Sequence, residues 1–300
     1  MILQKYSPRL QKYASRHQKH HLRHKSSLAL LLSGVCLCAH ADKEDAVHFE
    51  VNGVGFDMIF VDGGTFTMGA TLEQAFPLDN ERPIHEVKLS DFYIGETEVT
   101  QELWNAVTGC PFSRFAGDPR LPVESISWEE AMAFVKILQK KTGAEFCLPT
   151  EAQWEYAARG GKSSQGYQFA GSDEASEVAW YGANLRPEEN VCPDSIALGV
   201  YVNHDIAHPF PVAQKMPNEL GIYDMSGNVA EWTADYYAPY TEGRKKNPKG
   251  PSKGTERVFR GGCWYFGEWA CRVAQRQGAL PQSRYCNLGF RLAMPKYYMM

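Results

Sequence analysis

One twelve-residue run near the middle of the chain, Gly221-Ile222-Tyr223-Asp224-Met225-Ser226-Gly227-Asn228-Val229-Ala230-Glu231-Trp232, sets the tightest condition on the fold. Asp224, Asn228 and Glu231 carry side-chain oxygens at short intervals, and Gly227 lets the backbone turn sharply enough for carbonyl groups to converge. Oxygen sets of this kind suit a hard cation such as calcium. The competing reading is an Asx-turn followed by a surface glutamate, and the spacing is not that of an EF-hand loop.

A chain of 300 residues, 44% of them hydrophobic, is long enough to bury a full core around such a loop. Its formal net charge of -4 is mild, and beyond the N-terminus the basic residues form no stripe, so nucleic-acid binding is not expected. Abundant Gly, Pro, Tyr and Trp point to irregular, loop-rich structure held by aromatic packing rather than to a helical bundle.

Residues 1–27 are rich in Lys, Arg and His and lack Asp and Glu. The apolar run Leu28–Cys38 and the small-x-small sequence Ala39-His40-Ala41 follow. This order predicts a secretory signal peptide over 1–41, with no membrane-spanning segment in the mature chain; a lipoprotein signal using Cys36 or Cys38 is the alternative. The mature protein is then exported, to the periplasm or beyond. Removing those two of the 8 cysteines leaves six: Cys110, Cys147, Cys192, Cys263, Cys271 and Cys286. Outside the cytoplasm they are candidates for disulfides, with no pairing chosen by the sequence, and no C-x2-C pair suggests zinc.

Along the chain, strands are expected on either side of Asp62-Gly63-Gly64, then at His85–Leu89 and Phe92–Ile94. Thr100 is placed to cap a helix through Leu103, Trp104 and Val107 that Gly109 ends. Two capping boxes, Ser127 with Glu130 and Thr150 with Gln153, open further helices that end at Gly143 and Gly160-Gly161. Residues 162–220 show little regular pattern, Arg244–Gly250 reads as a solvated surface loop, and Val258–Trp264 and Leu288–Leu292 read as closing strands. With no repeat and no linker, one domain over 48–296 is expected.

Several blocks, among them Glu98-Val99-Thr100, Leu148-Pro149-Thr150-Glu151-Ala152-Gln153-Trp154-Glu155-Tyr156-Ala157-Ala158-Arg159-Gly160-Gly161, the 221–232 run, Arg260-Gly261-Gly262 and Asn287-Leu288-Gly289-Phe290-Arg291, resemble in order the formylglycine-generating enzyme, or sulfatase-modifying factor, family. The resemblance implies an α+β, C-type-lectin-like domain of low regular secondary structure, with mixed short strands, a few short helices and bound calcium. It carries one calcium site onto Asp224, the carbonyls of Gly227 and Val229, and Glu231, and a second onto Asn184 and Leu185. Near His204–Ile206 the chain departs from the family's Asp, which weakens the second assignment. Two family cysteines are absent together, at Ala158 and Leu292, as though one bridge had been dispensed with.

Enzymes of the family oxidise a sulfatase cysteine to Cα-formylglycine with O2, using Cu(I) between two thiolates. Counted without gaps from Arg260-Gly261-Gly262, their first catalytic cysteine falls on Phe266, their second on Cys271, and a family serine falls on Cys263. Soft Cu(I) needs both sulfurs, so copper is not expected here. Cys263 and Cys271 stay candidate catalytic residues if Cys263 replaces the missing thiolate, and a disulfide between them is the competing reading. Three functions follow: a calcium-stabilised binding or assembly module for an unnamed protein or peptide partner, a formylglycine-generating oxidase, and a lectin-like carbohydrate binder.

Overall fold

The computed structural model describes residues 46–182 and 208–296, so the expected leader and the assignments to Asn184, Leu185, Cys192 and His204–Ile206 lie outside the described residues. The chain begins with β1 (Ala46–Val51) and β2 (Val54–Val61), an antiparallel hairpin whose turn residues Asn52 and Gly53 both have positive φ. That is the two-residue turn whose twist matches a hairpin. Asp62-Gly63-Gly64 is different: strands flank it, but they do not pair with each other. β2 joins β5 (Phe92–Gly95), whereas β3 (Thr65–Met68) joins β4 (His85–Lys88), so the glycines carry the chain from one sheet to the next.

Helix α1 (Gln101–Thr108) starts where the Thr100 hydroxyl accepts the Leu103 amide and ends at left-handed Gly109. Both capping boxes form, opening α2 (Trp128–Thr142) and α3 (Glu151–Ala158). Each box satisfies two otherwise unpaired amides, and losing a cap residue typically costs about 1 kcal/mol. The short α4 (Ala175–Val178) leads into β6 (Ala179–Trp180), which pairs with β7 (Ser226–Gly227).

The second sheet has the order β11-β10-β8-β12, formed by β8 (Ala230–Tyr236), β10 (Arg257–Arg260), β11 (Arg276–Ala279) and β12 (Leu288–Phe290). Only the first part of the 221–232 run is therefore a loop; from Ala230 onward it is an inner strand. Arg244–Gly250 is mostly exposed, as expected, but within it β9 (Lys245–Lys246) pairs with β4. The final strand, β13 (Ala293–Pro295), returns to β5 and completes the first sheet, order β1-β2-β5-β13.

One large apolar cluster fills the space between α1, α2 and both four-stranded sheets. Trp104 stacks on Phe134, and Phe290 meets both rings edge-on. Burying each such ring contributes roughly 1.5–3 kcal/mol. Helix α3 is buried on almost every face, because its Trp154, Tyr156 and alanines enter a second cluster with Phe92, Ile94 and Met225. The result is an α+β fold with little regular structure, whose long loops are tied down by their side chains. Among the described residues, no helix is long and apolar enough to cross a membrane.

Candidate functional site

The loop leading into β8 is wound by four residues with positive φ: Gly221, Asp224, Gly227 and Asn228. Asp and Asn tolerate that region better than other non-glycine residues. Gly227 is required sterically, since a Cβ there would stand 2.4 Å from the Trp180 carbonyl oxygen. The winding turns Asp224 inward, to 2% exposure. One Asp224 oxygen accepts the Ala213 amide at 2.7 Å; the other, Oδ1, is buried and has no hydrogen-bond partner.

Glu231 is fully buried, and Arg291 grips both of its oxygens at 2.6 and 2.7 Å while the Trp154 indole donates to Oε2 at 2.7 Å. Arg291 is held here because it lies between β12 and β13, where the chain crosses from one sheet to the other. Sequence reasoning missed a third carboxylate. Glu98 accepts the Val229 amide and the Asn228 side-chain amide, each at 3.1 Å, and is buried beside Asp224 and Glu231. Its signal was only its place in Glu98-Val99-Thr100, ahead of a helix cap. Asn228 is not a spare oxygen, because its side chain also bonds the Phe210 amide and carbonyl.

Burial, reinforced by the Asp224 and Glu231 charges, holds Glu98 well above the usual carboxylate range, and burial pushes Asp224 up to about 6. Three buried carboxylates thus surround one guanidinium. An unpartnered buried oxygen, a tightly wound loop and excess negative charge fit a hard cation. Among the described residues, no group of three or more His, Cys, Asp and Glu is arranged to hold a metal by side chains alone, so the loop carbonyls of Gly227 and Val229 would have to complete the set.

This loop is bolted to the cysteine segment. The Gly227 amide donates to the Gly261 carbonyl and the Trp264 amide to the Asn228 carbonyl, both at 2.8 Å. Gly261 and Gly262 have positive φ, and a Cβ on Gly262 would lie 2.4 Å from the Ala270 carbonyl oxygen. That close approach brings Cys263 next to Cys271, whose thiol the Cys263 amide faces. Their packing differs, however: Cys263 belongs to the main core, and Cys271 to a small cluster with Phe169, Val178 and Tyr181. Burial pushes Cys263 up to about 11 and Cys271 well above the usual thiol range. The five described cysteines, Cys110, Cys147, Cys263, Cys271 and Cys286, are free thiols, so the Cys263–Cys271 disulfide of the competing reading does not appear.

Cys263 and Phe266 line a cavity of about 240 Å³ together with Gln275, Tyr285 and Asn287. Asn287 donates to the Cys263 sulfur at 3.2 Å, and the Gln275 side-chain nitrogen is buried without a partner. The cavity therefore combines an apolar wall, a neutral thiol and an unused amide donor. Such a site suits recognition of an uncharged group carrying a hydrogen-bond acceptor.

Comparison with known proteins covers both features. A formylglycine-generating enzyme from Streptomyces coelicolor is 30% identical over 290 residues, spanning 77% of this chain and 87% of that protein. The chaperone protein LppX of Paenibacillus barcinonensis is 34% identical over 244 residues, spanning 70% of this chain and 79% of that protein. Among solved structures, Treponema denticola variable protein 1 matches with a TM-score of 0.70 and 30% identity, over 83% of this chain and 99% of that one. Residues 44–296, which include the oxygen-rich loop and the thiol cavity, match the family model for the sulfatase-modifying factor enzyme 1-like domain, and the chain belongs to that family.

Proposed function

We propose that the chain is an exported, calcium-stabilised binding or assembly module that keeps the family's fold without its copper oxidase chemistry. The observation that carries this reading is Phe266, which lines the Cys263 cavity where the enzymes would present a thiolate. A phenyl ring offers copper no donor. The neighbouring sulfurs are buried and hold their protons far above neutral pH, which disfavours the thiolate form that binds soft metals. The likeness to a protein named a chaperone supports an assembly role with a protein or peptide partner.

The likeness to formylglycine-generating enzymes keeps a second reading in play, oxidation of a sulfatase cysteine by O2 with Cys263 and Cys271 as the copper ligands. Reduced, copper-loaded protein incubated with a sulfatase-derived cysteine peptide separates the two, because the aldehyde product is visible by mass. We expect no aldehyde. Aldehyde that forms with the parent protein and is lost in both Cys263→Ser and Cys271→Ser would establish the oxidase. A glycan array tests the carbohydrate-binding reading. Export is checked by sequencing the mature N-terminus: a start near Asp42 supports it, and a diacylated Cys36 or Cys38 would replace the signal peptide with a lipoprotein anchor.

A further inference from the structure

A second cavity, of about 480 Å³, shares no lining residue with the thiol cavity. It opens where the end of β8, the start of α3, β4 and the 245–251 segment meet. Its floor is an ion pair that needs nothing further. Glu151 accepts from Arg276 at 2.6 and 2.8 Å, from Arg260 at 3.2 Å and from the Tyr240 hydroxyl at 3.0 Å. Arg276 directs its remaining nitrogen to the Asn80 and Ala238 carbonyls.

The groups left over lie on the walls. Lys245 and Lys249 line the cavity, and neither makes an ion pair among the described residues. His85 is bonded through Nδ1 to the Pro83 carbonyl at 3.1 Å. A carbonyl only accepts, so that nitrogen carries the proton, and burial lowers the ring's pKa to keep it neutral, which leaves Nε2 as an acceptor. The ring stands edge-on to Tyr240, 4.9 Å between centroids. Asp235 accepts the Glu151 amide at 2.8 Å through one oxygen.

We propose that this cavity binds a small organic carboxylate of the sugar-acid class, with its carboxylate taken by Lys245 and Lys249 and its hydroxyls by His85 and Asp235. Three basic side chains, Lys245, Lys249 and Arg276, line it against two carboxylates, Glu151 and Asp235, so the cavity favours a single negative charge. Phosphate fits less well. Both guanidiniums near the floor are engaged by Glu151, and the amide at the start of α3 that would cradle a phosphate is already capped by Asp235. Tyr240 and the cavity's prolines supply flat apolar walls of the kind that lie against a sugar ring. The Arg244–Gly250 stretch thus acquires a role that its composition did not suggest.

Isothermal titration of the purified protein with glucuronate, galacturonate, glucose and inorganic phosphate tests the assignment. Saturable uronate binding is expected, at least tenfold tighter than glucose or phosphate. Lys245→Ala and Lys249→Ala should each weaken it fivefold or more at unchanged melting temperature, and the exposed control Lys253→Ala should leave it unchanged. Absence of saturable uronate binding to protein with a cooperative melt would overturn the proposal. So would undiminished binding in the Lys245→Ala, Lys249→Ala double variant, or phosphate binding as tight as uronate. The result is independent of the copper and calcium readings, since no residue of either site is altered.

Discussion

Two buried charge networks stand on either side of Trp154, and they are balanced differently. Around helix α3, Glu73, Glu151 and Glu155 meet Arg159, Arg260 and Arg276, three carboxylates against three guanidiniums. Around the loop that enters β8, Glu98, Asp224 and Glu231 meet Arg291 alone. The first network neutralises itself within the chain. The second does not, and its unpartnered Asp224 oxygen marks where a positive charge from outside would sit. Buried ion pairs hold a fold together only when the count closes, because an uncompensated buried charge is expensive.

The largest effect should come from opening the balanced network. Arg260 is fully buried and donates to Glu155 at 2.6 Å, to Glu151 at 3.2 Å and to the Val273 and Ala274 carbonyls. Arg260→Met leaves Glu151 to Arg276 and Glu155 to Arg159, one guanidinium short of balance, and should cost about 3–5 kcal/mol in a denaturant melt. Adding Glu155→Gln to it should recover part of that loss. A loss under about 1 kcal/mol in the single variant would mean that the two networks do not differ as described.

Next is the unbalanced network, where calcium should stabilise the protein by about 2.7 kcal/mol at a hundredfold excess over Kd. Asp224→Asn should abolish that increment, and without calcium it should be neutral or stabilising because it removes one of the excess charges. Glu231→Ala should be insensitive to chelator, though less stable throughout, since it strands Arg291. If parent and Asp224→Asn melt alike with and without calcium, the loop holds no cation.

A smaller effect tests how the balanced region tolerates a fourth carboxyl. Burial, with the Glu151 charge beside it, pushes Asp235 up to about 7 from 3.8. The folded protein therefore holds this proton more tightly than the unfolded chain, so the associated stability is fully present below about pH 4 and is lost as pH rises through about 7. After screening and relaxation the change should be on the order of 1–2 kcal/mol. Asp235→Asn should flatten that part of the pH profile measured by thermal melting. An identical slope in the variant would assign the dependence to another group.

The contrast between the two networks was only partly visible in the chain. Local signals were legible because they act over three or four residues: Ser127 with Glu130, Thr150 with Gln153, and the glycines that end α1 and α2. Asn52-Gly53 makes the hairpin turn, whereas Asp62-Gly63-Gly64, an equally strong local turn signal, joins strands that belong to different sheets. Ala230–Tyr236 was harder. Its acidic and aromatic residues look like a loop until Trp128 and Trp232 are seen donating across the fold to the Thr233 and Ile126 carbonyls.

By itself, the sequence determined the three longer helices and their caps, about half of the strand positions, the oxygen-rich run at Asp224–Glu231 and the phenylalanine at position 266, because each depends on residue type at short range. Tertiary structure alone decided that Glu98, 126 positions before Asp224, would share its burial, that Arg291 would neutralise Glu231, and that Lys245 and Lys249 would face His85 across a cavity. Those outcomes come from strands that pair far apart in sequence, β5 with β13 across most of the chain and β8 with β12 across a shorter span, and bring distant side chains into one low-dielectric space where every unbalanced charge counts.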